Sequence, residues 1–339
     1  MTPTGALDIE DAAQLKSYLA RNGLIWETET PRIERLSGGV SSRTMLVERL
    51  SGERWVVKQA LAALRVHVEW LSSPERSARE AEGARALAAL LPEGAVPAVV
   101  FEDRAEHLFI MRAAPAAARN WKTMLLAGEV RLEHFRAAGA LLGRIHGQSR
   151  ARRSEFEAMF GDTSFFESLR LEPYYEYTAQ QVPEAAMFFA ALCRDARQRR
   201  SALVHGDFSP KNLLVLGEEM ILLDHEVIHW GNPAFDIGFL FAHFLSKAHH
   251  LPASRPDLLD GALTFWSSYL ESAGSASAPE DEAVGQGLGC LLARVAGRSQ
   301  LEYLSAGEKQ RQQRACLALM RGGPKAIRGL VTDFISEVA

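Results

Sequence analysis

The apolar positions of this chain change period about a third of the way along. Near the N-terminus Leu15, Tyr18 and Leu19 recur at helical spacing, with Asp8 as the expected N-cap. Strand-like runs follow: Arg32 to Leu36, Thr44 to Glu48 and Trp55 to Lys58, punctuated by Ser37-Gly38-Gly39 and by a turn at Ser51-Gly52. A long helix is expected from about Pro74 to Leu91, capped by Ser72 or Ser73. Two further strands, Val96 to Phe101 and Leu108 to Met111, flank the charged turn Glu102 to Glu106. The first third therefore predicts a five-strand antiparallel sheet interrupted by one helix. Beyond the Ala-rich stretch Ala113 to Ala118 the period turns helical. Leu132, Phe135, Leu142 and Ile145 form one stripe, and Phe188, Phe189 and Leu192 another. Leu258 to Leu270, Leu288 to Val295 and the segments after Gly307 continue the pattern, and Ser272 to Glu282 reads as an exposed loop. The expected fold class is α+β in two lobes, residues 1–113 and 114–339.

Composition changes this picture little. A chain of 339 residues with 47% apolar and 24% charged residues has the profile of a soluble globular protein. A net charge of −4 gives no basic face for nucleic acid or membrane. Cys193, Cys290 and Cys316 match no metal or redox spacing and fit a reducing compartment. With no basic-then-apolar leader and no long apolar run, a cytoplasmic protein is expected.

The chemistry concentrates in "LVHGDFSPKNLLV", Leu203 to Val215. Leu213 to Leu216 and Met220 to Leu223 read as a hairpin about Gly217-Glu218-Glu219, which sets Asn212 and Asp224 opposite each other at its open end. Asp207 lies five residues before Asn212, in a loop shaped by Gly206 and Pro210. Two carboxylates and an amide oxygen on one rim suit Mg2+, a hard cation that takes oxygen ligands. Asn212 and Asp224 can hold the metal, with Glu226 as a second contact on the same side of an extended segment. That leaves Asp207 to face an acceptor hydroxyl and take its proton, as phosphoryl transfer requires.

These residues, His205-Gly206-Asp207, Asn212, Asp224 and then "GNPAFDIG" from Gly231 to Gly238, resemble the aminoglycoside phosphotransferase superfamily, whose members share a protein-kinase-like fold. The resemblance spans about residues 32 to 245. Within it the methylthioribose kinases look closest, through "VVKQALAALRV", "DHE" and "GLGCLLAR". The resemblance implies Asp207 as catalytic base and Asn212 and Asp224 as magnesium ligands. It also implies that Asp236 braces the catalytic loop, and N-capping of the next helix is a second role open to that residue. His205 and Gly206 would shape the loop. Lys58, ending its strand, would meet the phosphates of ATP and needs a carboxylate partner, Glu80 or Glu82; the family pattern favours Glu80. Gly38 and Gly39, with donors such as Ser41, would cover the phosphates, and the segment Met111 to Ala113 would be the hinge that pairs with adenine.

The acceptor side is expected in the second half, with His225, His229, Trp230, Arg294 and Arg298 as candidates. The expected function is an ATP-dependent kinase for a hydroxyl of a sugar or sugar-like metabolite, acting as monomer or homodimer. The alternatives are an aminoglycoside or choline-type kinase and a catalytically silent nucleotide-binding module. A metal-dependent hydrolase would leave Lys58 and the glycine turn without a purpose.

Overall fold

The computed structural model describes residues 7–36, 41–65 and 70–338. The N-terminal lobe is a five-stranded antiparallel sheet in the order β1-β2-β3-β5-β4. Its strands are β1 (Arg32–Arg35), β2 (Ser42–Glu48), β3 (Arg54–Ala60), β4 (Val99–Asp103) and β5 (Leu108–Arg112). Side-chain alternation along β3 divides the lobe in two. Trp55 and Val57 join Leu15, Tyr18 and Leu19 of helix α1 (Ala12–Arg21) in an outer core. Val56 packs on the opposite face with Ala81 of helix α2 (Arg76–Ala88), Phe109 and Met111. Because both faces are covered, β3 is buried along nearly its whole length. Lys58 shares the inner face with Val56.

Two capping expectations are corrected. Asp11, not Asp8, caps α1, accepting the N–H groups of Ala13 and Gln14 at 2.9 and 3.1 Å. Asp8 instead accepts the Glu10 N–H in the preceding turn. Helix α2 starts at Arg76 with no side-chain cap; Ser73 accepts the Glu75 N–H one turn earlier.

The second lobe is mainly helical. Its first part holds β6 (Arg119–Asn120), α3 (Trp121–Leu126), α4 (Leu132–Ala151), α5 (Arg153–Phe160) and α6 (Ser164–Phe166). A π-helical stretch over Glu167–Glu176 leads to α7 (Tyr177–Gln181) and α8 (Ala186–Gln198). Then come β7 (Ala202–Val204), β8 (Leu213–Leu216), β9 (Glu219–Leu222) and β10 (His229–Gly231). Helices α9 (Ala234–His250), α10 (Arg255–Ala273), α11 (Glu280–Ala296), α12 (Ala306–Met320) and α13 (Ile327–Val338) complete the lobe. No helix among the described residues is long and apolar enough to cross a membrane.

Phe135, Leu142 and Ile145 are buried as the stripe on α4 requires, whereas Leu132, in its first turn, is largely exposed. The segment Ser272 to Glu282 is not a simple exposed loop. Helix α10 continues to Ala273, α11 begins at Glu280, and Ala273, Ala276 and Ala278 are buried between them. Alanine is small enough to let the connection lie on the core, which polarity alone did not signal.

Candidate active site

The loop between β7 and β8 is built around a buried carboxylate. Asp236, in the first turn of α9, accepts the N–H groups of His205 and Gly206 at 2.7 and 2.8 Å. His146 of α4 approaches the same carboxylate at 3.4 Å, and its other ring nitrogen lies 3.1 Å from the Tyr269 hydroxyl. That hydroxyl already accepts the Ala278 N–H, so its proton is free for His146 Nδ1, and Nε2–H faces Asp236. Burial alone would raise the Asp236 pKa, but these donors keep it below the ordinary carboxylate value. Capping of α9 falls to Asn232, whose side chain accepts the Ala234 N–H.

Both ring nitrogens of His205 are also engaged. Nε2 lies 3.1 Å from the Leu223 carbonyl, and Nδ1 accepts the Asp207 N–H at 3.2 Å. Burial lowers its pKa, and this bonding suits the neutral ring. His205 is thus a tie between the loop and the end of β9. Gly206 adopts φ +76°, and a Cβ there would come within 2.8 Å of Val227, so only glycine fits.

Asp207 is almost wholly buried and held from three sides. Arg170 Nη2 and Lys211 Nζ each lie 2.9 Å from one of its carboxylate oxygens, and Asn212 Nδ2 donates to it at 2.7 Å. Burial pushes the Asp207 pKa up, but Arg170 and then Lys211 outweigh it and hold the group ionised. Arg170 sits in the π-helical stretch, donates to the Gly206 carbonyl at 2.6 Å, and stacks over Tyr174 and Phe239. π-Helical turns are frequent at functional sites. Nothing in the sequence singled Arg170 out, because it contacts the loop from more than thirty residues away.

A second cluster lies where the lobes meet. The Leu223 N–H donates to the Asn212 carbonyl at 2.9 Å, so the hairpin does set Asn212 and Asp224 at its open end. Asp224 adopts φ 68°, in the left-handed region. Its carboxylate meets Lys58 Nζ at 2.9 Å, and Glu80 meets the same ammonium at 2.5 Å. Glu80, Asp224 and Glu226 bring carboxylate oxygens within 4.8 Å of one another. Arg76, fully buried, binds Glu226 at 3.0 Å and also donates to the carbonyls of Ser41, Leu61, Ser72 and Ser73. Burial opposes the charge on Lys58, but Asp224 and Glu80 overcome it and raise its pKa. Burial raises the Glu80 pKa against the pull of Lys58. The hard oxygens of these three carboxylates suit a divalent cation. Asn212 donates through its amide nitrogen to Asp207, and among the described residues its side-chain oxygen accepts no hydrogen bond, so it offers the same donor chemistry.

The remaining candidates lie elsewhere or are already committed. Gly38 and Gly39 fall outside the described residues. Ser41 is buried, its carbonyl taken by Arg76 and by the Leu61 N–H. Met111 lies inside the sheet between β3 and β4, and the Ala113 N–H donates to the Arg54 carbonyl at 2.8 Å. A base at this hinge would have to pair with other backbone groups. His225 is buried, packed beside His205 and against Gly83 of α2, where a Cβ would sit 3.0 Å from its own. His229 stacks on Phe166 at 4.1 Å and Trp230 is wholly buried, because β10 pairs with β7 inside the lobe. Arg294 is buried and bonds the Tyr174 hydroxyl at 3.0 Å and the Ser299 hydroxyl at 2.8 Å. Arg298 instead pairs with Glu172 and lies over Tyr177.

The profile of the phosphotransferase enzyme family matches residues 32–273, from β1 through α10 and across both clusters. The chain belongs to this family. The phosphotransferase matches no curated protein sequence. Its fold is that of a choline/ethanolamine kinase family protein from Mesorhizobium loti, with TM-score 0.57 and 18% identity over 96% of this chain and 99% of that one. A putative fructosamine-3-kinase from Thermobifida fusca gives TM-score 0.54 and 18% identity over 91% and 99% of the two chains. An amicoumacin kinase gives 0.56 and 15% over 95% and 98%. The two-lobed kinase-like architecture and a phosphotransferase activity follow. A specific likeness to methylthioribose kinase does not.

Proposed function

We propose that this phosphotransferase moves the γ-phosphoryl group of ATP to a hydroxyl of a small-molecule acceptor, with Asp207 receiving the hydroxyl proton. The observation that carries this reading is the fixed, ionised Asp207 carboxylate beside the Lys58–Asp224 contact that joins the lobes. Phosphoryl transfer asks a protein mainly for such positioning and charge placement. In the step, the acceptor oxygen bonds the γ-phosphorus while the bond to the β,γ-bridging oxygen breaks. That electron pair leaves with ADP, and the hydroxyl proton passes to Asp207. Lys58 would face the triphosphate, with Leu46, Val56 and Met111 as an apolar roof beside it. Asn212, Asp224 and Glu226 would hold Mg2+, which supplies charge neutralisation on the phosphates.

For the acceptor, a sugar-like metabolite is one reading and an aminoglycoside or choline-type acceptor the other. The names of the similar structures stand nearer to the second, although identities of 18% or below carry the fold alone. Calorimetry should detect Mg2+-dependent ATP binding. Asp207→Ala should retain that binding and lose acceptor-stimulated ADP release by roughly two to four orders of magnitude. Undiminished turnover in that variant would remove Asp207 from its role, and absence of nucleotide affinity would sink the kinase reading altogether.

A further inference from the structure

Lys247, near the end of α9, is wholly buried. Among the described residues it forms no ion pair. Its ammonium has only the His243 carbonyl of its own helix at 3.4 Å and the face of Tyr303 at 5.2 Å. Burial lowers its pKa to about 7, Lys122 and Arg294 push the same way, and only Glu302 opposes them. Lysine is rarely buried without a partner, and a Met or Leu would fill this space at lower cost.

The neighbours repeat the pattern. Among the described residues the Nε2 of His243, the Nε of Arg294 and the hydroxyl of Tyr303 are buried without hydrogen-bond partners. After burial, the charges that act on His243 are those of Lys247, Arg294, Lys211 and Lys122. Lys211 is the residue paired with Asp207, and its carbonyl accepts from Asn120 at the start of α3, which carries Lys122. The group of cations therefore begins at the proposed transfer site and runs into the helical lobe. The acid at its edge, Glu302, is exposed and engaged by Lys122.

Resting on the kinase reading above, we infer that Lys247, Arg294, His243 and Tyr303 bind an anionic group, a carboxylate or a phosphate, carried by the acceptor whose hydroxyl is phosphorylated. Such a group would give Lys247 its missing counter-charge and supply acceptors to Arg294, His243 and Tyr303. The same charge disfavours a polycation or a quaternary ammonium, which needs acids or aromatic faces free of competing cations.

The test is calorimetric titration of the full chain, nucleotide-free and with AMP-PNP and Mg2+, using D-glycerate, glycerol 3-phosphate, glycerol and choline. At least one of the two anions should bind, glycerol and choline should not, and the stronger anion identifies carboxylate or phosphate. Lys247→Met and Arg294→Met should each weaken that anion at least roughly tenfold, with AMP-PNP affinity kept. Lys247→Met removes an unpaired charge at similar volume, so its fold should survive; circular dichroism verifies this, and Arg294→Met provides the independent second variant. No anion binding, anion binding undiminished in both variants, or tighter binding of choline overturns the inference. Failure of AMP-PNP to bind while the anion titrates normally would instead overturn the kinase reading and leave the anion pocket standing.

Discussion

Two lysines of this protein are buried to similar depth in opposite surroundings. Lys58 meets Glu80 and Asp224 within 2.9 Å, and its charge is held on. Lys247 has no carboxylate partner among the described residues, and its pKa falls to about 7. The difference teaches that depth alone does not decide a buried cation's state; the carboxylates brought with it do. At Lys58 the protein supplies the counter-charge itself. At Lys247 it does not.

Removing each charge should therefore act in opposite directions. Lys58→Met leaves Glu80 and Asp224 buried without their cation, and it should cost roughly 3–5 kcal/mol in urea unfolding. A smaller effect, of opposite sign, is expected at Lys247. Its folded pKa lies below the ordinary value of 10.5, so above pH 7 the unfolded chain binds the proton that the folded chain has released. Stability should then rise by up to roughly 3 kcal/mol between pH 7 and 9, and the rise should vanish in Lys247→Met. A parallel rise in that variant would mean that another group titrates. Asp11→Ala removes the cap of α1 and should lower the urea midpoint by a smaller but measurable step. Breaking the exposed Arg153–Glu157 pair should leave the urea midpoint almost unchanged.

The lysine comparison also marks what sequence could and could not reveal. Lys58 was legible because an unmistakable apolar run leads to it, although β3 continues to Ala60, and Glu80 follows in the next helix. Asp207, Asn212 and Asp224 were legible because a hairpin fixes their spacing locally. Arg170, Arg76 and His146 were not, since each reaches its carboxylate from more than thirty residues away, Arg170 and His146 through packing of the helical lobe and Arg76 from α2 across the junction of the lobes. Lys247 looked like one more polar position in a helix that proves buried on nearly every side. His229 and Trp230 misled for a related reason. Their nearness in sequence to Asp224 suggested a shared surface, but pairing of β10 with β7 turns both into the core. The sheet of the first lobe was read correctly as five antiparallel strands, because alternation and turn residues are local signals, whereas the strand order β1-β2-β3-β5-β4 came only with the structure and helix ends and caps shifted by a few residues.

The backbone at Asp224 has a consequence for which residues the position can hold. At φ 68° most side chains crowd the backbone, and asparagine, aspartate and glycine are the letters tolerated most readily. Of these three, only aspartate is charged. Drift toward glycine would relax the chain, and drift toward asparagine would preserve its shape, yet either would leave Lys58 with Glu80 alone. Comfort of the backbone and presence of the charge therefore coincide in a single amino acid. Across chains with this same turn, the letter found there separates those that still carry the anion from those that have kept only the fold.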